Sequence, residues 1–195
     1  QGAKEIVYIA QDTTRFGDDI PPHRSLLADL IARTCEMPKV EWVRALYCYP
    51  SRVNEQLLET IAMQKKACKY LDLPLQHIDA ALLQAMNRTG TPEQIRRLIA
   101  RVRQLGFTLR TTFIVGFPGE TEDAFERLMD FVEETRFERM GAFAYSPEED
   151  TKAIEMPNQV PEEVKAERLD RLMRLQQRIS LGQNENALEA FARCW

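Results

Sequence analysis

Thr111-Thr112-Phe113-Ile114-Val115-Gly116-Phe117-Pro118-Gly119-Glu120-Thr121 is an apolar strand that runs into a Gly/Pro turn and then into a helix start. Gly116 and Gly119 let the backbone approach a bound molecule with no Cβ in the way, Pro118 stiffens the turn between them, and Thr121 is placed to cap the following helix. A corner of this kind suits the holding of a ligand, but it also serves as an ordinary tight βα connection. Its weight therefore depends on what surrounds it.

Outward from that corner, apolar strand-like runs alternate with longer helical segments, the order that a parallel sheet with crossover helices produces. Five strand–helix units can be read. Strands are expected over residues 5–10, 40–49, 69–75, 108–115 and 140–145, and helices over 25–36, 54–66, 79–86, 92–104, from Thr121 onward, and 162–180. The safest local start is Thr91-Pro92-Glu93-Gln94, where Thr91 and Gln94 form a capping box and Pro92 takes the first helical position. In the last helix Val164, Leu169, Leu172, Met173 and Leu175 are expected to face the core. No sequence repeat, low-complexity tract or interdomain linker interrupts the chain. Five βα units in one orientation favour a partial parallel (β/α) barrel over a doubly wound open sheet, although strand order alone does not separate the two.

The 195 residues, 44% of them hydrophobic, suffice for one substantial core. No run of about 18 apolar residues exists, which argues against a membrane-spanning helix. A net charge of −4 and a pI near 5.4 argue against a broad nucleic-acid surface. Cys35, Cys48, Cys68 and Cys194 are widely spaced, with none of the short intervals typical of metal or cluster ligands, and read as thiols in a reducing cytoplasm. The opening Gln1-Gly2-Ala3-Lys4 lacks an initiator Met and is expected to be a cut inside a longer polypeptide.

In βα folds, ligands sit at the carboxyl ends of the strands. Here those ends are polar: Gln11-Asp12-Thr13, Gln76-His77, the Arg110-Thr111-Thr112 run leading to Gly116, and Tyr145-Ser146. Phe117 and Tyr145 add apolar surfaces for a flat ring. Each residue also has a structural alternative. Asp12 and Thr13 can cap a loop, Gln76 and His77 can satisfy backbone groups, and Tyr145 can belong to the core. His77 is a candidate general base with no partner visible in the sequence. Glu148-Glu149-Asp150 reads as a solvated loop, and the arginines at 96, 97, 101 and 103 as the outer face of one helix.

Four segments in order, Ile9-Ala10-Gln11-Asp12-Thr13-Thr14-Arg15, Leu71-Asp72-Leu73-Pro74-Leu75-Gln76-His77, Thr111 to Thr121, and Phe143-Ala144-Tyr145-Ser146-Pro147-Glu148-Glu149, resemble the radical S-adenosylmethionine core of the RimO family. Those enzymes methylthiolate the β-carbon of an aspartate in a small-subunit ribosomal protein. The likeness runs from Glu5 to about Ser180, so residues 1–180 are expected to be the core and 181–195 an unassigned tail. It implies a partial barrel lacking its first strand. S-adenosylmethionine is expected on the carboxyl rim near Gln11, Asp12, Gln76, Thr111, Thr112, Gly116, Phe117, Tyr145 and Ser146. The related tRNA methylthiotransferases of the MiaB type share the Gly-Phe-Pro-Gly-Glu-Thr corner, whereas Gln11-Asp12-Thr13-Thr14, Leu75-Gln76-His77 and Pro147-Glu148-Glu149 lean towards the ribosomal-protein branch. Asp150 stands where the family usually shows glycine.

The resemblance also implies [4Fe-4S] clusters, one bound by a Cys-x-x-x-Cys-x-x-Cys motif that this sequence does not contain. The chain alone is therefore expected to be an inactive portion of a methylthiotransferase. Contact with RNA is expected only through a further small β domain of the family. The alternatives are a tRNA methylthiotransferase core and a cluster-free βα scaffold that binds a nucleotide-like ligand or a ribosomal partner.

Overall fold

The computed structural model describes residues 2–193, with side chains through residue 189. By the density of its internal contacts the chain divides into two compact units. One holds the residues through Pro74 together with Glu93–Arg110. The other holds Leu75–Pro92 and the residues from Thr111 onward.

In the first unit β1 (Glu5–Tyr8) pairs in parallel with β2 (Trp42–Ala45), in register from Glu5 opposite Trp42 to Tyr8 opposite Ala45, and α1 (Leu27–Cys35) connects them. Beyond β2 come α2 (Glu55–Met63), capped where Asn54 Oδ1 accepts from Leu57 N at 2.9 Å, and β3 (Tyr70–Gln76). A parallel bridge joins Val43 to Ala67, and Cys48 N donates to Asp72 O at 2.9 Å, so the chain running into β3 lies beside β2. Leu27, Ile31, Val43, Leu58, Leu71, Val102 and Leu109 fill the core of this unit. Both early strands are shorter than the sequence predicts. β1 stops at Tyr8, and β2 stops at Ala45 because Tyr47 turns to φ 57 with its N–H held by the buried carboxylate of Asp72 at 3.2 Å.

β3 and β4 (Thr108–Val115) run from the first unit into the second, where β5 (Arg139–Ala144) completes a sheet of order β3-β4-β5. The sheets are parallel and no closed barrel forms, as an incomplete barrel requires. The connecting helices are α3 (Ala80–Ala85), α4 (Pro92–Gln104) and α5 (Glu122–Thr135). α4 opens at Pro92, and Thr121 caps α5 through Ala124 N at 3.2 Å, both as predicted.

β4 alternates strictly, with Leu109, Thr111, Phe113 and Val115 buried and Arg110, Thr112 and Ile114 on the opposite, partly open face. On the buried side Phe113, Phe131 and Phe137 meet edge to face, with centroids 5.8–6.3 Å apart. α6 (Glu162–Arg193) lies against β5 and α5 and continues past Ser180, where the sequence reading ends it. Its buried stripe is Lys165, Arg168, Leu172, Leu175, Gln176 and Ile179, whereas Val164, Leu169 and Met173 sit at its half-buried margins. No helix among the described residues is long and apolar enough to cross a membrane.

Phe113 has no exposed surface and touches two other rings. Phe113→Ala is expected to lower unfolding stability by about 3–5 kcal/mol, read from the shift in denaturation midpoint at unchanged slope.

Candidate functional site

The corner after β4 is built around one carboxylate. The chain reverses at Gly116 (φ 72) and Gly119 (φ 87), and Glu120 N donates to Phe117 O at 2.9 Å. Gly116 is obligatory here, because a Cβ on it would lie 2.3 Å from Lys165 Cγ. Glu120, 5% exposed, folds back into the turn: its Oε2 accepts from Gly116 N at 2.7 Å and from Arg168 Nη1 at 2.7 Å, and its Oε1 faces His77 Nε2 at 3.1 Å. Arg168 Nη1 also reaches the Glu120 carbonyl at 3.1 Å. The charge of this buried acid is thus met by a guanidinium and two further donors, the condition under which a buried ion pair is tolerated.

His77 is fully buried and its Nδ1 accepts from Asp79 N at 2.9 Å. The proton therefore sits on Nε2 and is donated to Glu120, which makes His77 a neutral tie between β3 and the corner. Both ring nitrogens are engaged, so the imidazole is not available as the general base that the sequence suggests. Asp79 caps α3. Burial pushes its carboxyl up, but the bond from Arg127 at 2.6 Å and those from the Leu82 and Ala81 amides outweigh it and leave the group below its usual range.

Next to this network lies a cavity of about 510 Å³ lined by Gln76, Met86, Arg88, Thr112, Ile114, Phe117, Phe143, Ala144, Tyr145 and Ser146. All belong to the second unit. Phe117 and Tyr145 pack edge to face at 5.2 Å, and Lys165 Nζ stands 5.1 Å from the centre of the Tyr145 ring. Two buried polar atoms of lining residues, Gln76 Oε1 and Tyr145 Oη, have no hydrogen-bond partner among the described residues. Gln76 has φ 70, and His77 N bonds Leu75 O at 2.9 Å across it, a tight left-handed turn. Such a conformation costs a non-glycine residue about 1–3 kcal/mol and collects at functional sites.

Of the residues singled out from the sequence, Gln76, Thr112, Phe117, Tyr145 and Ser146 come together around this cavity. Thr111 lies on the other face of β4, where its hydroxyl accepts from Leu75 N at 3.4 Å, and Gly116 lies under Lys165; neither lines the cavity. Gln11 and Asp12 belong to the first unit. Gln11 is exposed, and Asp12 caps the turn Thr13–Arg15 by accepting from Thr14 N at 3.0 Å and from the Thr14 hydroxyl. Sequence reasoning missed Arg88, the one charged residue in the lining, and the buried cations Lys165 and Arg168. The signal for those two was their spacing, since positions 165 and 168 continue the stripe of Leu172, Leu175 and Ile179. Asp150 has φ 62, a region that glycine enters freely and aspartate tolerates.

A polar, ring-bearing ligand such as S-adenosylmethionine fits this lining, which offers unsatisfied oxygens, aromatic walls and one guanidinium. A [4Fe-4S] cluster does not fit the described residues, among which no three His, Cys, Asp or Glu side chains gather to hold a metal. Cys35 and Cys48 are buried, Cys68 is half-buried, and Cys194 lies outside the described residues.

A match to the Radical SAM superfamily covers residues 1–132. The chain belongs to the radical SAM superfamily. Within it, the resemblance to RimO holds at high identity. The ribosomal protein uS12 methylthiotransferase RimO of Desulforamulus reducens is 47% identical over 190 residues, 96% of this chain and 43% of the relative. That of Heliobacterium modesticaldum is 50% identical over 183 residues, 93% of this chain and 40% of the relative. The chain thus spans less than half the length of these relatives. Among solved structures, the radical SAM enzyme HemN of Escherichia coli superposes with a TM-score of 0.55 at 15% identity, over 90% of this chain and 52% of that one. Elp3 of Methanocaldococcus infernus gives a TM-score of 0.59 at 14% identity, over 86% and 44%. At these identities the two structures speak for the radical SAM fold alone.

In the first unit, burial pushes the Cys48 thiol up to about 11; the Thr13 hydroxyl bond opposes this, and the Asp72 and Asp12 charges add smaller upward pushes. A thiol raised in the folded state keeps its proton while the unfolded chain loses its own, so stability is expected to fall as pH rises from 9 towards 11. Peptide mapping after brief alkylation at pH 8 should find Cys68 labelled before Cys48 in the folded protein.

Proposed function

We propose that this chain forms the S-adenosylmethionine-binding core of a ribosomal protein uS12 methylthiotransferase, acting on the β-carbon of an aspartate in that small-subunit protein. The observation that carries the cofactor site is Gln76, which lines a cavity together with Phe117 and Tyr145 and whose buried Oε1 has no hydrogen-bond partner among the described residues. Burying an acceptor without a partner is costly, so a strained residue that presents one is accounted for by a ligand that donates to it. The substrate is supported by the relatives described above, whose names specify uS12 and not tRNA.

Within the cavity Gln76, Thr112, Tyr145 and Ser146 would accept from and donate to the ligand's hydroxyl and amino groups, and Arg88 would take a carboxylate. Phe117, Phe143 and Ile114 would exclude water from an adenine ring. When bound, S-adenosylmethionine supplies a transferable methyl group and, with the iron–sulfur clusters that the family uses, one-electron bond cleavage. We assign cluster ligands and RNA contact to parts of the protein outside residues 1–195, in keeping with the missing Cys-x-x-x-Cys-x-x-Cys motif and the charge of −4. A ribosomal-protein substrate supports a cytoplasmic location.

Titrating the ¹⁵N-labelled chain with S-adenosylmethionine should move the amides of Gln76, Thr112, Tyr145 and Ser146 first. Gln76→Leu, which removes one hydrogen-bonding group, is expected to weaken binding about tenfold. Shifts confined to other residues would overturn the cavity assignment. In cells carrying the gene as their sole copy, mass spectrometry should find the methylthio group on uS12 aspartate; finding it on tRNA instead would overturn the substrate.

A further inference from the structure

Gln76 is held in place by residues that do not line the cavity. Its left-handed turn is closed by His77 N on Leu75 O at 2.9 Å, and the His77 ring is pinned at both nitrogens, to Asp79 N at 2.9 Å and to Glu120 Oε1 at 3.1 Å. Glu120 keeps its other oxygen on Gly116 N and on Arg168 Nη1, both at 2.7 Å. The side chains of His77 and Glu120 have no exposed surface, and that of Arg168 is 6% exposed. Hydrogen bonds therefore run from Arg168 on α6 through Glu120 to His77, whose backbone N–H closes the turn around Gln76, a residue of the cavity lining.

We infer that Arg168, Glu120 and His77 are positioning residues that hold Gln76 in its strained conformation and so set the cavity's affinity for its ligand. The inference rests on the assignment of S-adenosylmethionine to this cavity. Arg168 Nη1 and Gly116 N hold one oxygen of the buried Glu120 carboxylate, which leaves the other to accept from His77 Nε2–H. Without the guanidinium the buried carboxylate loses its charged partner on Oε2 and is no longer held in place against His77. The imidazole then loses the acceptor that fixes its Nε2 side and is left tied only through Nδ1 to Asp79 N–H. The turn at Gln76 then relaxes and moves the Gln76 side chain with it. Lys165 adds a second constraint from α6 by filling the space over Gly116 and standing against the Tyr145 ring.

The test uses the 195-residue chain, which contains two histidines, so that exposed His23 serves as the reference for His77 in long-range ¹H–¹⁵N spectra. The parent chain should show His77 protonated on Nε2. Arg168→Met and the isosteric Glu120→Gln should both change the His77 ring signals and raise the Kd for S-adenosylmethionine about tenfold, and Arg168→Lys should restore most of the affinity. Glu120→Gln is the deciding variant if Arg168→Met does not fold, since it alters one proton-bearing group at constant volume. Folded variants that bind within about twofold of the parent, while Gln76→Leu loses affinity, would overturn the relay and leave the cavity assignment standing. Should Gln76→Leu also bind like the parent, the cavity assignment itself is wrong and the relay's role falls with it.

Discussion

The Glu120 carboxylate is buried inside the turn that its own backbone makes, and an anion in that position has to be met on both oxygens or the turn cannot form. Gly116 supplies a main-chain donor, His77 a ring donor and Arg168 a charge. These three groups come from the strand end of the corner, from the end of the neighbouring strand, and from the final helix. One ionised side chain thus ties β3, β4 and α6 together, and the shape of the cavity follows from where those ties fall.

Close packing accounts for much of the rest of the site. Lys165 lies over Gly116 so tightly that no side chain fits there, and its ammonium stands against the Tyr145 ring. Tyr145 in turn meets Phe117 edge to face, and Phe117 closes a small core with Leu82 and Ala124. The aromatic wall of the cavity is therefore also the inner wall of a packed layer. Its rings are held from behind, and the buried Tyr145 hydroxyl has no hydrogen-bond partner among the described residues.

Much of this was legible in the residues. Thr121 as the cap of α5, Pro92 at the start of α4 and the five strands in sequence order follow from local chemistry, because caps and turns are settled by neighbours in the chain. Gln76, Thr112, Phe117, Tyr145 and Ser146, singled out from the sequence, lie around one cavity in the structure. Thr111 was grouped with Thr112 because adjacent residues look alike in sequence, but strand alternation sends them to opposite faces. The early end of β2 depends on Asp72, 25 residues away from the Tyr47 amide it holds, and no local signal announces it.

The amino-acid sequence by itself determined the alternation of strands and helices, the glycine-rich corner and the likeness to RimO, since each rests on residue identities at short range. Only the tertiary structure decided what the charges do. The sequence reading of α6 named only apolar residues for its inner face, because lysine and arginine are rarely buried without a partner. Lys165 keeps Glu162 of its own helix at 2.6 Å, but the Tyr145 ring beside Lys165 and the Glu120 carboxylate on Arg168 lie 20 and 48 residues away and come within reach only when α6 packs against the end of β4. A buried ion pair is a property of that packing, because the low polarity that makes it matter exists only once both chains of atoms have closed around it.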